Sequence, residues 1–118
     1  MVTYMNEFLS RLPLREPTFF ILLSLSPGPK HGYAILKEVE ALSAGRVRLS
    51  TGTLYGAIKR LLDDGWIRRV DDPLPNDTQR KRKAYALTEK GQRILNAEIE
   101  RLRKLVHVAQ IQTAEETL

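Results

Sequence analysis

A short polar stretch in the middle of the chain carries the side chains best suited to contact another molecule. Hydroxyl groups stand at Ser50, Thr51, Thr53 and Tyr55, and an ammonium group follows at Lys59. Such groups donate hydrogen bonds to phosphate oxygens and to acceptors on base edges. No histidine and acid accompany Ser50 or Thr51 at a spacing that would make either hydroxyl a nucleophile. The stretch is therefore interpreted as a binding surface, with a merely solvated helix face as the alternative.

Four consecutive basic residues form a second candidate contact region: Arg80, Lys81, Arg82 and Lys83. The chain has a net charge of +5, and residues 66–88 alone contribute +3 of it. Dense positive charge is typical of a surface that binds a polyanion, although many basic surfaces only keep a protein in solution. Because side chains alternate along an extended segment, we expect about two of the four to face the same partner.

Residues that could hold a metal ion or support catalysis are scarce. The chain has no cysteine and only two histidines, His31 and His107. A zinc site would need carboxylates at spacings that the sequence does not offer. His31 is interpreted as a capping or surface residue, and Asp63 and Asp64 as solvated side chains at a helix end. We predict no metal site, no cofactor and no enzymatic activity.

The periodicity of the apolar residues predicts the elements that position these groups. Helical spacing marks four segments before the first strand, over 1–12, 17–25, 32–44 and 51–64. The second segment is apolar on nearly all sides, which predicts a buried core helix. Tyr33 and Leu42 fall on the predicted inward stripe of the third. Ser50 and Thr51 are the candidate N-caps of the fourth, and Gly65 is its predicted end.

The period then changes from that of a helix to that of a strand. Residues 66–70 and 82–87 are predicted to be two strands of a hairpin, joined by a long polar loop over 71–81. A last helix is predicted from Thr88 toward Ala109. Three helices followed by such a hairpin predict a mainly α chain with a small β-hairpin (α+β), arranged as a winged helix-turn-helix. In this layout a capped helix fits the major groove of DNA and the hairpin reaches neighbouring phosphates.

The last helix carries a regular apolar seam. Leu95, Ile99, Leu102, Val106 and Ala109 alternate spacings of four and three, as the core positions of a coiled coil do. The simple alternative is that this helix only packs on the core of its own domain. We predict a dimer interface at Leu95, Ile99, Leu102 and Val106, supported by an N-terminal stripe at Tyr4, Phe8 and Leu12.

Three linked motifs give the chain a specific resemblance. They are His31-Gly32-Tyr33-Ala34-Ile35, then Gly52-Thr53-Leu54-Tyr55 with Gly65-Trp66-Ile67, and finally residues 82–91, which read RKAYALTEKG. In this order, from about Leu14 to Val106, the chain resembles the PadR family of bacterial transcriptional regulators. Two positions depart from the family pattern: Gly56 replaces a frequent proline, and Ala84 precedes Tyr85 where a tyrosine pair is common.

The resemblance implies a dimeric winged-helix protein that binds DNA, usually as a repressor. It also implies that an aromatic or drug-like ligand, or another signal, relieves DNA binding. The residues expected to contact a palindromic double-stranded operator are Ser50, Thr51, Thr53, Tyr55, Lys59, Arg80, Lys81, Arg82 and Lys83. Two alternatives stay open: an adaptor that uses its winged helix for protein contacts, and a winged helix that binds RNA.

Length and composition predict one domain over 1–118. Residues 14–88 form the expected DNA-binding core, preceded by an N-terminal extension, 89–112 the expected dimerisation helix, and 113–118 a frayed tail. No apolar run is long enough for a membrane helix, and the N-terminus lacks a signal-peptide pattern. The expected location is the cytoplasm.

Overall fold

The computed structural model describes residues 10–71 and 83–114. These residues form α1 (Glu16–Leu25), β1 (Lys30–His31), α2 (Gly32–Leu42), α3 (Thr51–Asp63), β2 (Ile67–Val70), β3 (Ala84–Leu87) and α4 (Glu89–Ala114). The predicted class, mainly helical with a small antiparallel sheet, is confirmed. Of the helix predicted over 1–12, only residues 10–12 lie within the described part of the chain, and Tyr4 and Phe8 lie outside it. Among the described helices, none is long and apolar enough to cross a membrane.

Helix α1 is the centre of the core, as its almost continuous apolar sequence predicts. Ile21 and Leu22 are fully buried, and α1 packs against both α2 and α4. Pro17 occupies the first turn, where its missing N–H costs no helical hydrogen bond. Burial of large aliphatic side chains from all helices and from β2 makes one continuous core, which holds the elements around it in fixed positions.

The sheet contains one strand more than the sequence predicts. Strand β3 lies in the middle, with β2 on one side and the two-residue β1 on the other, and both pairings are antiparallel. Strand β1 is too short to show any alternation of apolar and polar residues, so periodicity could not reveal it. Lys30 lies opposite Tyr85, which ties the start of α2 to the sheet.

Helix α2 buries a narrower face than predicted. Ile35 and Val39 are fully buried, together with Gly32. The prediction that Tyr33 and Leu42 point inward is wrong: they are 67% and 43% exposed. Tyr33 is one position beyond the buried Gly32, which turns it about 100° away from the inward face. The Lys37 ammonium lies 5.5 Å from the centre of the Tyr33 ring, over the solvated side of the helix.

The start of α4 is fixed to the turn between α3 and β2. Gly65 closes α3 with a positive φ of 75°, which favours glycine. The Thr88 hydroxyl donates to the Gly65 carbonyl at 2.6 Å and accepts from the Gly91 N–H at 3.0 Å, so it caps the start of α4. A Cβ atom on Gly91 would lie 1.9 Å from the Trp66 carbonyl oxygen. Only glycine permits this contact between helix and backbone.

A buried carboxylate links α4 to the segment before α1. Glu98 is 2% exposed, accepts from the Leu14 N–H at 2.7 Å, and receives two hydrogen bonds from the Arg101 guanidinium. Burial alone would raise the pKa of the Glu98 carboxyl, but the hydrogen bonds from Arg101 and Leu14 outweigh burial and hold that pKa below its usual value. The ionised form of Glu98 is therefore part of the fold.

Replacing Glu98 by glutamine tests this link through its pH dependence. We expect Glu98→Gln to lower the free energy of unfolding at neutral pH by about 1–3 kcal/mol, because hydrogen bonds to a charged group are lost. Since the folded pKa lies below the unfolded one, this stabilisation is present above the ordinary value of 4.5 and disappears as pH falls through the folded pKa. Urea unfolding at pH 7, 5 and 3.5 should show the two proteins converging at low pH.

The control is Glu100→Gln. Glu100 lies two residues after Glu98 in the same helix and forms an exposed ion pair with Arg103. Such a pair contributes less than about 1 kcal/mol. A constant difference between wild type and Glu98→Gln across the pH range would contradict the account of Glu98.

Candidate nucleic-acid interface

The N-terminus of α3 is capped within the sequence stretch that carries the hydroxyl groups. The Ser50 hydroxyl accepts from the Thr53 N–H at 3.1 Å and donates to the Thr53 hydroxyl at 2.9 Å. The cap leaves other N–H groups of the first turn facing solvent beside the exposed Thr51 and Gly52. Helix N-termini of this kind attract phosphate oxygens. The structure thus assigns Ser50 a capping role and leaves Thr51 and Thr53 exposed.

Helix α3 separates a buried face from an exposed one. Leu54, Ile58 and Leu61 are buried, whereas Thr51, Tyr55 and Lys59 follow one another at intervals of four residues on the exposed side. Thr51, Tyr55 and Lys59 thus form an outward row that faces solvent. Gly52 and Gly56 add no side chain to it, and a Cβ atom at either position would meet nothing within 4 Å. The backbone of α3 can therefore approach a partner closely.

Tyr55 does not project freely from α3. Its ring lies over the start of α2, where a Cβ atom on Gly32 would be 2.4 Å from the Tyr55 hydroxyl oxygen. A side chain at position 32 would displace the end of the Tyr55 side chain. Tyr55 remains 43% exposed, so its hydroxyl lies at the surface where α2 and α3 meet. A partner would contact it there rather than at a distance from the helix axis.

A cleft of about 370 Å³ separates α3 from the sheet. Lys59 lines it from the helix, Arg69 from β2 and Lys83 from the start of β3, and Asp63 is the acidic residue in its wall. All three cationic residues are exposed. The cleft therefore presents three positive side chains, from α3, from β2 and from the residue before β3, next to the outward row of α3.

Tyr85 closes the inner end of this cleft. It lies opposite Arg69 in the β2–β3 register and is 1% exposed. Burial raises the pKa of the Tyr85 hydroxyl, the neighbouring Tyr55 adds to the increase, and Arg69 opposes it. The Tyr85 hydroxyl thus stays neutral and adds no charge to the cleft.

Sequence reasoning missed Arg69. The available signal was the pair Arg68-Arg69, which interrupts the apolar and polar alternation of the predicted strand. Both side chains are exposed in β2, and Arg69 borders the cleft. Of the predicted basic run, Lys83 lies in the described structure, whereas Arg80, Lys81 and Arg82 lie outside the described residues.

The apolar seam of α4 divides into an inner and an outer part. Leu95 is 1% exposed in the core of its own chain, so the structure removes it from the predicted dimer interface. Ile99 packs partly against the same core. Beyond it, Leu102 is 36% and Val106 54% exposed. These two residues and Ile99 carry the surface that a partner could still cover.

The outer half of α4 extends farther than predicted and lacks contacts with the core. The helix reaches Ala114, two residues beyond its predicted end at 112, so residues 113 and 114 are helical rather than part of a frayed tail. Residues 115–118 lie outside the described residues. From residue 102 to 114 every side chain is exposed. Large apolar side chains among them are Leu105, Val106, Val108 and Ile111. The outer half of α4 therefore presents an exposed apolar surface.

Within the described residues no three metal-ligating side chains come together. His31 is the residue before α2, and its side chain makes no capping hydrogen bond to that helix. The geometry offers hydroxyl donors, a helix N-terminus and a basic cleft, which are suited to binding an anionic partner.

Comparison with known proteins agrees with this geometry. A structure of a PadR family transcription regulator from Clostridium difficile R20291 superimposes with a TM-score of 0.67 at 23% identity, over 85% of this chain and 99% of that one. Bacillus subtilis PadR in complex with operator DNA gives a TM-score of 0.63 at 25% identity, over 72% of this chain and 47% of that one. The fold is therefore the winged helix of these regulators.

An uncharacterized 37.1 kDa protein in transposon TN4556 of Streptomyces fradiae is 33% identical over 90 residues, which is 76% of this chain. The chain spans about a quarter of the length of that relative, since the match covers 24% of it. The model of the transcriptional regulator PadR-like family matches residues 21–97. This match includes α2, α3, the sheet and the start of α4, and the chain belongs to the PadR-like family of transcriptional regulators.

Proposed function

We propose that the chain is a sequence-specific, homodimeric repressor that binds a palindromic DNA operator and is released by a small aromatic ligand or another signal. The observation that carries the proposal is the exposed row of α3 beside the basic cleft of Lys59, Arg69 and Lys83. Family membership supports DNA as the partner, and it supports the prediction that the chain is not an enzyme. The similar Bacillus subtilis PadR was solved with operator DNA.

In the proposed complex α3 enters the major groove. The major groove is wide enough to accommodate one helix. The absence of side chains at Gly52 and Gly56 allows α3 to lie deep in the groove. Thr51, Thr53 and Tyr55 donate hydrogen bonds to phosphates or base edges. Lys59, Arg69 and Lys83 face the phosphates that border the groove. Of the whole basic run, Arg80 to Lys83, we expect about two residues to contact phosphates.

The outer half of α4 provides the proposed dimer contact. Its exposed apolar residues include Leu102 and Val106 from the predicted seam, and a second copy of the same helix would cover them in a coiled-coil arrangement. Two-fold symmetry would then place two α3 helices on two half-sites. We expect these half-sites to be centred about 10 base pairs apart, or a multiple of that spacing. A regulator of this kind shares a compartment with the chromosome, so the proposal includes a cytoplasmic location.

Salt dependence tests the role of the cleft. In a dimer, Arg69→Gln removes two phosphate contacts, and so does Lys59→Gln. Each substitution should therefore reduce the slope of log K against log salt by about 1.8, at roughly 0.9 per contact. The measurement is a fluorescence-anisotropy titration of labelled duplex at several salt concentrations.

The matched control is Arg103→Gln, which removes the same charge from the exposed face of α4. Its slope should equal that of the wild type. Unchanged slopes for both cleft variants would show that the cleft does not contact the DNA backbone. Preference for single-stranded RNA of the same base sequence would favour the RNA-binding alternative, and loss of all polyanion binding would favour the protein adaptor.

A further inference from the structure

A second cavity lies on the other side of α3 from the proposed DNA-binding row. Its volume is about 290 Å³, and its walls come from the segment before α1, the first turn of α1 and the end of α3. Ala57, Leu61 and Trp66 supply apolar surface, and all three are almost completely buried. Since each helical residue advances by about 100°, the lining residues Ala57, Leu61 and Asp64 lie roughly opposite Tyr55 around the helix. The cavity is therefore separate from the basic cleft.

Three guanidinium groups line this cavity: Arg11 and Arg15 from the segment before α1, and Arg60 from α3. Arg11 is paired with Asp64 at 2.9 Å, and its guanidinium carbon lies 4.7 Å from the centre of the Trp66 ring. Arg15 and Arg60 are exposed, and neither forms a salt bridge with another residue of the described ranges. Even with Asp64 counted, the cavity wall retains an excess of two positive charges.

We propose that this cavity binds a small organic anion, with a carboxylate or a phosphate group held between Arg15 and Arg60. A guanidinium presents paired N–H donors that match the two oxygens of either group. The compact apolar part of the ligand would lie against Leu61 and the edge of Trp66, where burial of apolar surface adds to affinity. A cavity of this volume admits a ligand about the size of a substituted benzene ring.

The regulatory consequence rests on the function proposed above. Ala57, Arg60 and Leu61 belong to α3, so a ligand in the cavity contacts the same helix that would read the DNA. An anion that approaches Asp64 also competes with it for Arg11, which joins the N-terminal segment to the end of α3. By linkage, the factor by which the ligand changes the affinity for DNA equals the factor by which DNA changes the affinity for the ligand.

The single tryptophan of the chain makes the test direct. Trp66 fluorescence is followed in the DNA-free protein during titration with benzoate, phenyl phosphate, inorganic phosphate and benzyl alcohol, at constant ionic strength. We expect a saturable change with benzoate or phenyl phosphate and none with neutral benzyl alcohol. A response to phenyl phosphate and inorganic phosphate but not to benzoate would assign the site to phosphates, and the reverse pattern would assign it to carboxylates.

Substitution of Arg15 and Arg60 connects the signal to the cavity. Arg15→Gln and Arg60→Gln should each weaken binding by roughly tenfold or more, because each removes hydrogen bonds to a charged group. Arg103→Gln is the charge-matched control and should bind as the wild type does. Absence of a saturable change with every probe, or equal binding by all variants, would overturn the proposal.

Repeating the titration with a duplex selected by the protein then separates the two proposals. If the anion binds to the free protein but no duplex is ever bound, the cavity site stands and the DNA-binding function fails. If a duplex is bound but no anion occupies the cavity, only the ligand site is lost.

Discussion

Gly91→Ala is expected to lower the free energy of unfolding by about 3 kcal/mol, because overpacking against fixed atoms is costly. The added methyl group would be 1.9 Å from the Trp66 carbonyl oxygen. That oxygen belongs to backbone held by the Thr88 N–H at 3.1 Å, so it has little freedom to move away. Relief requires α4 to shift away from the turn between α3 and β2. Thermal or urea unfolding measures the loss, which corresponds to a decrease in Tm on the order of 10 °C for a domain of this size.

Gly56→Ala is the matched control. Gly56 is also inside a helix, but a Cβ atom there meets nothing within 4 Å. Alanine has the higher helix propensity, so this variant should gain about 0.5–1 kcal/mol. If the two substitutions had the same effect on stability, the close contact between Gly91 and Trp66 would not exist in solution.

Val106→Asp is expected to convert the proposed dimer to monomer. Val106 is 54% exposed in the single chain, so the folded monomer can accommodate a carboxylate at this position. In the proposed interface the same carboxylate would be desolvated without a partner, which opposes association by several kcal/mol. Sedimentation velocity over a range of protein concentrations measures the oligomeric state, and circular dichroism checks that helix content is preserved.

Ile111→Asp provides the comparison within the same helix. Ile111 is 55% exposed, and it lies about 180° around the helix from Leu102 in the seam. This variant should remain a dimer. Dissociation by Ile111→Asp with retention of the dimer by Val106→Asp would place the interface on another face of α4.

Much of α3 could be predicted because its sequence satisfies several local rules at once. A capping serine, helical spacing of Leu54, Ile58 and Leu61, and a terminal glycine all indicate α3, and the structure has it within one residue of the predicted end. The same locality explains why the predicted start of the last helix, Thr88, lies within one residue of the observed start of α4 at Glu89. Signals that lie within one helical turn can be recognised from sequence alone.

The features that escaped prediction depend on contacts between distant residues. Glu98 resembles a solvated charge in the sequence, yet its partner is the N–H of Leu14, which lies 84 residues earlier. Leu95 fits the seam of a coiled coil as well as it fits a core, and only the packing of α1 against α4 decides between them. Gly91 was visible as part of a motif, but the reason for it is the position of the Trp66 carbonyl. Periodicity carries no information about such contacts.

The central claim is that two α3 helices read a two-fold symmetric DNA site, and selection followed by footprinting tests it most directly. A random double-stranded library is selected with the wild-type protein, and the enriched duplex is footprinted with the wild type, with Lys59→Gln and with Arg103→Gln. The account predicts an inverted repeat with half-sites about 10 base pairs apart, or a multiple of that spacing. It also predicts protection that weakens in Lys59→Gln and persists in Arg103→Gln. Enrichment of a site without two-fold symmetry, or equal protection by all three proteins, would contradict it.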